Sequence, residues 1–101
     1  MKSKRTKALE IPKEVKDKVY ERDLESCILC GEHAKPEDAC AHFIPRSRGG
    51  LGIKENIVTL CFDCHHIYDQ GLNRKKNEIY IRNYLNKHYP EFSDADRIYR
   101  K

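Results

Sequence analysis

Two Cys-x-x-Cys pairs, Cys27-Ile28-Leu29-Cys30 and Cys61-Phe62-Asp63-Cys64, bracket the middle of this chain. A two-residue spacer lets a tight turn bring both sulfurs of a pair to one side. Gly31 follows the first pair directly and can take backbone conformations that side chains resist. Two such pairs offer four soft ligands to one ion, the donor set of a closed tetrahedral zinc site. A redox role would need only one pair. Four thiolates leave no open position for water, so zinc here is architecture: it staples residues 27–30 to 61–64. Binding free energy on the order of 10 kcal/mol then enters folding directly.

The staple matters because the chain has little else to build a core from. Its 101 residues are 39% hydrophobic and 36% charged, and a single small domain of that kind often needs a metal or disulfides. The N-terminus is polar and basic with no apolar segment behind it, so no secretory signal is expected. No apolar run approaches the ~20 residues of a membrane span. A cytoplasmic, reducing location without a membrane partner is the expectation, and there paired cysteines read as metal ligands. The unpaired Cys40 is expected to be a small buried residue at a strand start, and His33 an exposed residue beside the first pair.

Net charge is a mild +4, from 20 Lys+Arg against 16 Asp+Glu. Placement says more than the total: Lys2, Lys4, Arg5 and Lys7 load the N-terminus, Arg46 and Arg48 a central loop, and Arg74, Lys75 and Lys76 a later segment. Such clusters point to a polyanion partner.

Residues 1–10 read as a flexible basic arm, and 11–101 as one domain. Pro12 and the recurring Ile11, Val15 and Val19 predict a helix over about 12–24. Ala39 to Ile44 and Ile57 to Leu60 read as two antiparallel strands joined by a long, mobile loop rich in glycine. Phe62 to Gly71 reads as a short helix stopped by its glycine. Ile81, Tyr84, Leu85 and His88 predict a helix over about 74–88, ended by Pro90. Ser93 with Asp94 and Asp96 can begin a last short helix. Tyr68, Tyr80 and Tyr84 are expected at the edge of the core. The fold class is α+β, with a strand–loop–strand–helix centre at about 39–71.

The order of chemistry-bearing residues in the centre is His42, Pro45, Arg46-Ser47-Arg48-Gly49-Gly50, Asn56, then Cys61-x-x-Cys64-His65. This order resembles the HNH endonuclease family, and the likeness reaches back through IPKEVKDKVYERDLESCILCG to cover roughly residues 11–70. The resemblance implies the ββα-metal fold with flanking helices, and metal-dependent hydrolysis of DNA phosphodiester bonds. It matches His42 to the family's first histidine, Asn56 to its asparagine and His65 to its last histidine.

Those roles agree with the chemistry. Hydrolysis needs a base for the attacking water and positive charge for the phosphoryl and leaving oxygens. A neutral imidazole suits the first near neutral pH, and His42 is the candidate general base. The Asn56 amide can hold the His42 loop by hydrogen bonds. On a helix His65 and Asp69 share a face, so together they can hold one magnesium or manganese ion; many family members place a metal-binding histidine where Asp69 stands. His66 turns away and reads as a packing or DNA-facing residue. Arg46 and Arg48 can fork onto phosphates.

One position departs from the family. Where a metal-binding Asp, His or Glu usually precedes the first histidine, this chain has Ala41. Three possibilities stay open: the cation is held by His65, Asp69, water and the scissile phosphate; Asp38 swings in; or metal binding is weak. The expected function is a zinc-stapled endonuclease, a monomer or weak dimer that nicks one strand of duplex DNA. Rival readings are a non-catalytic zinc-ribbon DNA-binding module and a structural partner of phage packaging proteins.

Overall fold

The computed structural model describes residues 3–71 and 73–100, so Lys2 of the expected arm lies outside the described residues. In place of a flexible arm, Lys4–Leu9 forms helix α1. Ser3 Oγ accepts the Thr6 N–H at 3.1 Å, satisfying one donor that a helix start leaves open. What holds so short and charged a helix is tertiary contact. Leu9 is buried, and the Ala8 carbonyl accepts the Gly52 N–H at 3.0 Å.

An extended link leads to helix α2, Lys13–Arg22, shorter than the predicted span at both ends. Pro12 sits at its N-cap with extended backbone. The apolar stripe packs as its spacing requires, with Val19 fully buried and Ile11 and Val15 against it, in a small cluster with Ala39 and Ile57.

The chain leaves α2 through Leu24 and Glu25, both left-handed with φ of 58° and 57°, at a cost of about 1–2 kcal/mol per residue. Asp23, 5% exposed, organises the region beside this turn. Its carboxylate accepts two bonds from Arg22 (2.7 and 3.0 Å), one from Tyr84 OH (2.6 Å) and one from the Thr59 N–H (2.8 Å). Arg22 also donates to the carbonyls of Lys54 and Ile57, each at 2.8 Å. Three segments distant in sequence are thereby tied to the end of α2.

Strands β1 (Ala41–His42) and β2 (Ile57–Val58) pair antiparallel, Ala41 opposite Val58 and His42 opposite Ile57. Beyond the two paired residues the segments stay in contact: Phe43 N–H donates to the Asn56 carbonyl at 2.8 Å, and at the other end the register slips, Leu60 N–H donating to the Asp38 carbonyl at 3.2 Å. Successive strand residues face opposite ways, which separates two apolar clusters. Ile57 joins the α2 cluster, while Ala41 and Val58 join the larger one with Phe43, Leu60, Tyr68, Ile81 and Leu85.

Helix α3 (Phe62–Asp69) follows β2, and Gly71 takes a left-handed φ of 79° just past its end. Helix α4 runs Arg74–His88, matching the predicted span, and buries Ile81 and Leu85. Tyr80 does not reach the core edge and is 51% exposed. A 3-10 turn at Asp94–Arg97 is closed by a capping box between Ser93 and Asp96.

The chain ends by pinning the loop between the strands. Arg97, fully buried, donates to the Glu55 carbonyl at 2.7 Å and to Asp94 at 3.2 Å. Its own carbonyl accepts Leu51 N–H at 2.8 Å, and Tyr99 N–H donates to the Gly49 carbonyl at 2.8 Å. Arg46–Arg48 is a 3-10 turn; the expected mobile loop is a hydrogen-bonded one. Gly50 shows why a side chain is excluded here, since a Cβ would lie 1.6 Å from the Ile44 carbonyl oxygen. Among the described residues no helix is long and apolar enough to cross a membrane.

Candidate active site

The four paired thiols converge. The sulfurs of Cys27, Cys30, Cys61 and Cys64 all lie within 4.8 Å of one another, and those of Cys30 and Cys61 are 3.7 Å apart. A tetrahedral zinc with Zn–S bonds of about 2.3 Å needs sulfur–sulfur edges of about 3.8 Å, so the donor set fits the ion in identity and spacing. Burial alone would push the Cys27 thiol up, but backbone N–H groups of Cys30, Cys61 and Leu29 bring it below its usual range. Burial and the neighbouring thiols push Cys64 the other way. Cys61 is the N-cap of α3, so the clamp ties the start of that helix to the first Cys pair. His33 is exposed nearby, and Cys40 is half-buried.

From that anchored start, α3 presents His65 and Asp69 one turn apart, with His65 Nε2 3.4 Å from Asp69 Oδ2. His42, at the end of β1, faces the same groove of about 230 Å³, which Arg46, Tyr68 and Arg74 also line. Tyr68 is buried and donates its hydroxyl to the Phe43 carbonyl at 3.0 Å, and burial pushes that hydroxyl up to about 12. Arg74 lies over the Tyr68 ring, 4.4 Å from its centroid, and pairs with Glu78 at 2.9 Å.

The His42 ring is half-buried, and its Nε2 lies 2.9 Å from the Leu9 carbonyl oxygen. A carbonyl can only accept, so Nε2 carries the hydrogen and the neutral ring keeps its lone pair at Nδ1. Burial lowers the His42 pKa; the Leu9 bond opposes this, Arg46 and His65 add to it, and Asp69 opposes it.

Asn56 is fully buried behind β1. Its Oδ1 accepts the Ile44 N–H at 2.9 Å, and its Nδ2 donates to the carbonyls of Ile44 and Leu51 at 3.2 and 2.9 Å. The amide thus ties both ends of the loop to the start of β2.

Other residues are not brought to the groove. Arg48 points to a separate hollow beside Phe43, Glu78 and Arg82, so the two loop arginines diverge. Asp38 caps its own turn, with Oδ2 accepting the Lys35 N–H at 2.9 Å. Ala41 is buried in the larger apolar cluster. Among the described residues, the four thiols are the group of three or more such side chains close enough to share an ion; His65 and Asp69 stand as a pair.

Two features were not legible as part of a site. Lys16 lines a second hollow of about 400 Å³ that shares Cys40, His42 and Arg46 with the first; on sequence it is one more exposed helix cation. The Leu9 carbonyl is a backbone group, which no residue pattern announces.

Residues 27–70 match the family model described as HNH endonuclease. No curated protein and no solved structure matches the chain. The matched stretch runs from the first thiol of the clamp through His42, Asn56 and His65 to the end of α3 and is similar to that family over those residues.

Proposed function

We propose that the protein is a metal-dependent DNA endonuclease that cuts one strand of a duplex at each encounter. The observation that carries this reading is the shared groove: His42 from β1 and the His65–Asp69 pair from α3 line one cleft beside the Arg46 cation. His42 is the general base, taking the proton of an attacking water at Nδ1; a positioned base is worth roughly 10²–10⁴ in rate. His65 and Asp69 bind the catalytic cation. Their imidazole nitrogen and carboxylate oxygen suit manganese or magnesium and leave most of its coordination sphere to water and phosphate. Bound there, such an ion offsets charge on the phosphoryl oxygens and stabilises the leaving 3′ oxygen.

The rest of the machinery is positioning. Asn56 holds the loop that carries Arg46. Arg46 and Lys16, flanking His42, draw the phosphate backbone into the two hollows, as cations do on a polyanion. The cysteine clamp, loaded with zinc, keeps α3 and its two ligands in register. One such site reaches one strand, so a monomer nicks.

Supercoiled plasmid incubated with the zinc-loaded protein and manganese or magnesium tests this: open circles are expected. Plasmid left supercoiled across a metal panel, with the protein folded, counts against it. A second reading, a non-catalytic zinc-ribbon DNA-binding module, draws on the apolar burial of Ala41, which leaves the cation two protein donors. It predicts DNA retention without cleavage under every metal.

A further inference from the structure

We propose that helix α1, outside the stretch that matches the family, is a working part of this active site, with the Leu9 carbonyl fixing both tautomer and orientation of His42. The inference rests on the nuclease reading for its consequence in rate, but not for its geometry. A histidine ring turns about two torsions, and either nitrogen of the neutral ring can hold the proton. The 2.9 Å bond from Nε2 to the Leu9 oxygen removes both freedoms at once. It leaves the Nδ1 lone pair as the base, which is how an orienting acceptor acts on a catalytic imidazole.

The partner that orients His42 comes from 33 positions earlier in the chain, so something must hold it there. Three contacts do. Leu9 is buried at 3% exposure. Arg5 Nη2 donates to the Arg46 carbonyl at 3.4 Å. Gly52 N–H donates to the Ala8 carbonyl at 3.0 Å. Gly52 is also the keyhole of the fit, because a Cβ there would stand 1.8 Å from the Glu10 carbonyl oxygen and 3.0 Å from Ile11 N. Both loop contacts flank the Arg46–Gly52 turn, so α1 is docked on the same loop that follows His42. An alanine at 52 must push aside the peptide next to Leu9, and with it the acceptor of the ring.

The test is direct. In the ¹⁵N-labelled, zinc-loaded, full-length protein at about pH 7.5, where an ordinary imidazole is neutral, long-range ¹H–¹⁵N correlation reads the tautomer of each histidine. His42 is expected in the Nε2–H form with Nδ1 unprotonated. An Nδ1–H form, or an even mixture, overturns the proposal. Gly52→Ala is expected to lose the tautomer preference and lower kcat on the order of 10²-fold, as misplacement of a catalytic group does, with KM for duplex DNA and zinc content unchanged. A Gly52→Ala variant with wild-type kcat also overturns it. If that variant does not fold, the wild-type spectrum decides alone. A wild-type protein that shows the Nε2–H form yet cuts nothing would remove the nuclease reading and leave the tautomer assignment standing.

Discussion

Nε2 of His65 lies 3.4 Å from Oδ2 of Asp69, one turn further along α3. That is longer than a good hydrogen bond, and the Asp69 side chain is 66% exposed. A pair of donors held near each other at a groove wall, without a tight bond between them, can open around an ion.

Removing one donor should therefore show in metal dependence before it shows in folding. Asp69→Ala is expected to raise the manganese or magnesium concentration needed for half-maximal cleavage by roughly 10–100-fold, the range by which even supporting groups tune metal affinity. Zinc content and melting temperature should stay at wild-type values, since Asp69 belongs to neither the clamp nor the core. Metal titration of plasmid nicking reads this; an unchanged titration would remove Asp69 from the ion site.

The cysteine clamp makes the opposite prediction. Cys30→Ser is expected to lower zinc stoichiometry from one ion per chain and to cost several kcal/mol of stability, given about 10 kcal/mol of binding energy coupled to folding. The helix that carries His65 begins at a clamp residue, so activity should fall with it. Metal analysis and a thermal melt of the same sample measure both, and a fully stable, zinc-free protein would contradict the clamp.

The pH dependence follows from His42. Burial, the largest influence, holds its pKa below the ordinary 6.5 despite the Leu9 bond that raises it. In the proposed mechanism the neutral ring is the base, so a lowered pKa keeps that base available to lower pH. The acid limb of the cleavage rate should turn below pH 6.5, the ordinary value. The same shift acts on stability with this sign: the unfolded chain binds the proton more readily, so the His42 contribution is full above 6.5 and is lost as pH falls through the folded value. Single-turnover rates from about pH 5 to about pH 8 test the limb; one centred above 6.5 would contradict the assignment.

Asp23 carries a prediction for the fold alone. Its carboxylate serves Arg22, Thr59 and Tyr84 at once. Asp23→Ala would strand a largely buried guanidinium, a change that costs roughly 3–5 kcal/mol. Denaturant melts should show that loss, while the tautomer of His42, whose ring bonds the Leu9 carbonyl and not this hub, stays as it is. A loss below about 1 kcal/mol, the scale of a surface pair, would show that the hub is not the tie described.

What could be read in the residues alone divides along physical lines. The Cys pairs, α4 and the Val19 stripe were legible because spacing along the chain sets them. The His42–Asn56–His65 order pointed to the family whose model matches residues 27–70. Helix α1 was not legible: its residues look like a soluble arm, and its anchors at Gly52 and Arg46 lie far along the chain. Arg97 escaped for a similar reason, since nothing local says that an arginine near the end will be fully buried against the Glu55 carbonyl. The strands came out shorter than predicted because the register slips where Leu60 N–H bonds the Asp38 carbonyl. In each case the deciding contact is tertiary.

The central claim is that His42 acts as the base on a phosphodiester held beside His65 and Asp69. Single-turnover cleavage of an end-labelled duplex by the wild-type protein and by His42→Ala, with DNA affinity measured in parallel, tests it most directly. The account predicts a fall in rate of roughly 10²–10⁴-fold at unchanged affinity and zinc content. Equal cleavage by the two proteins would contradict it.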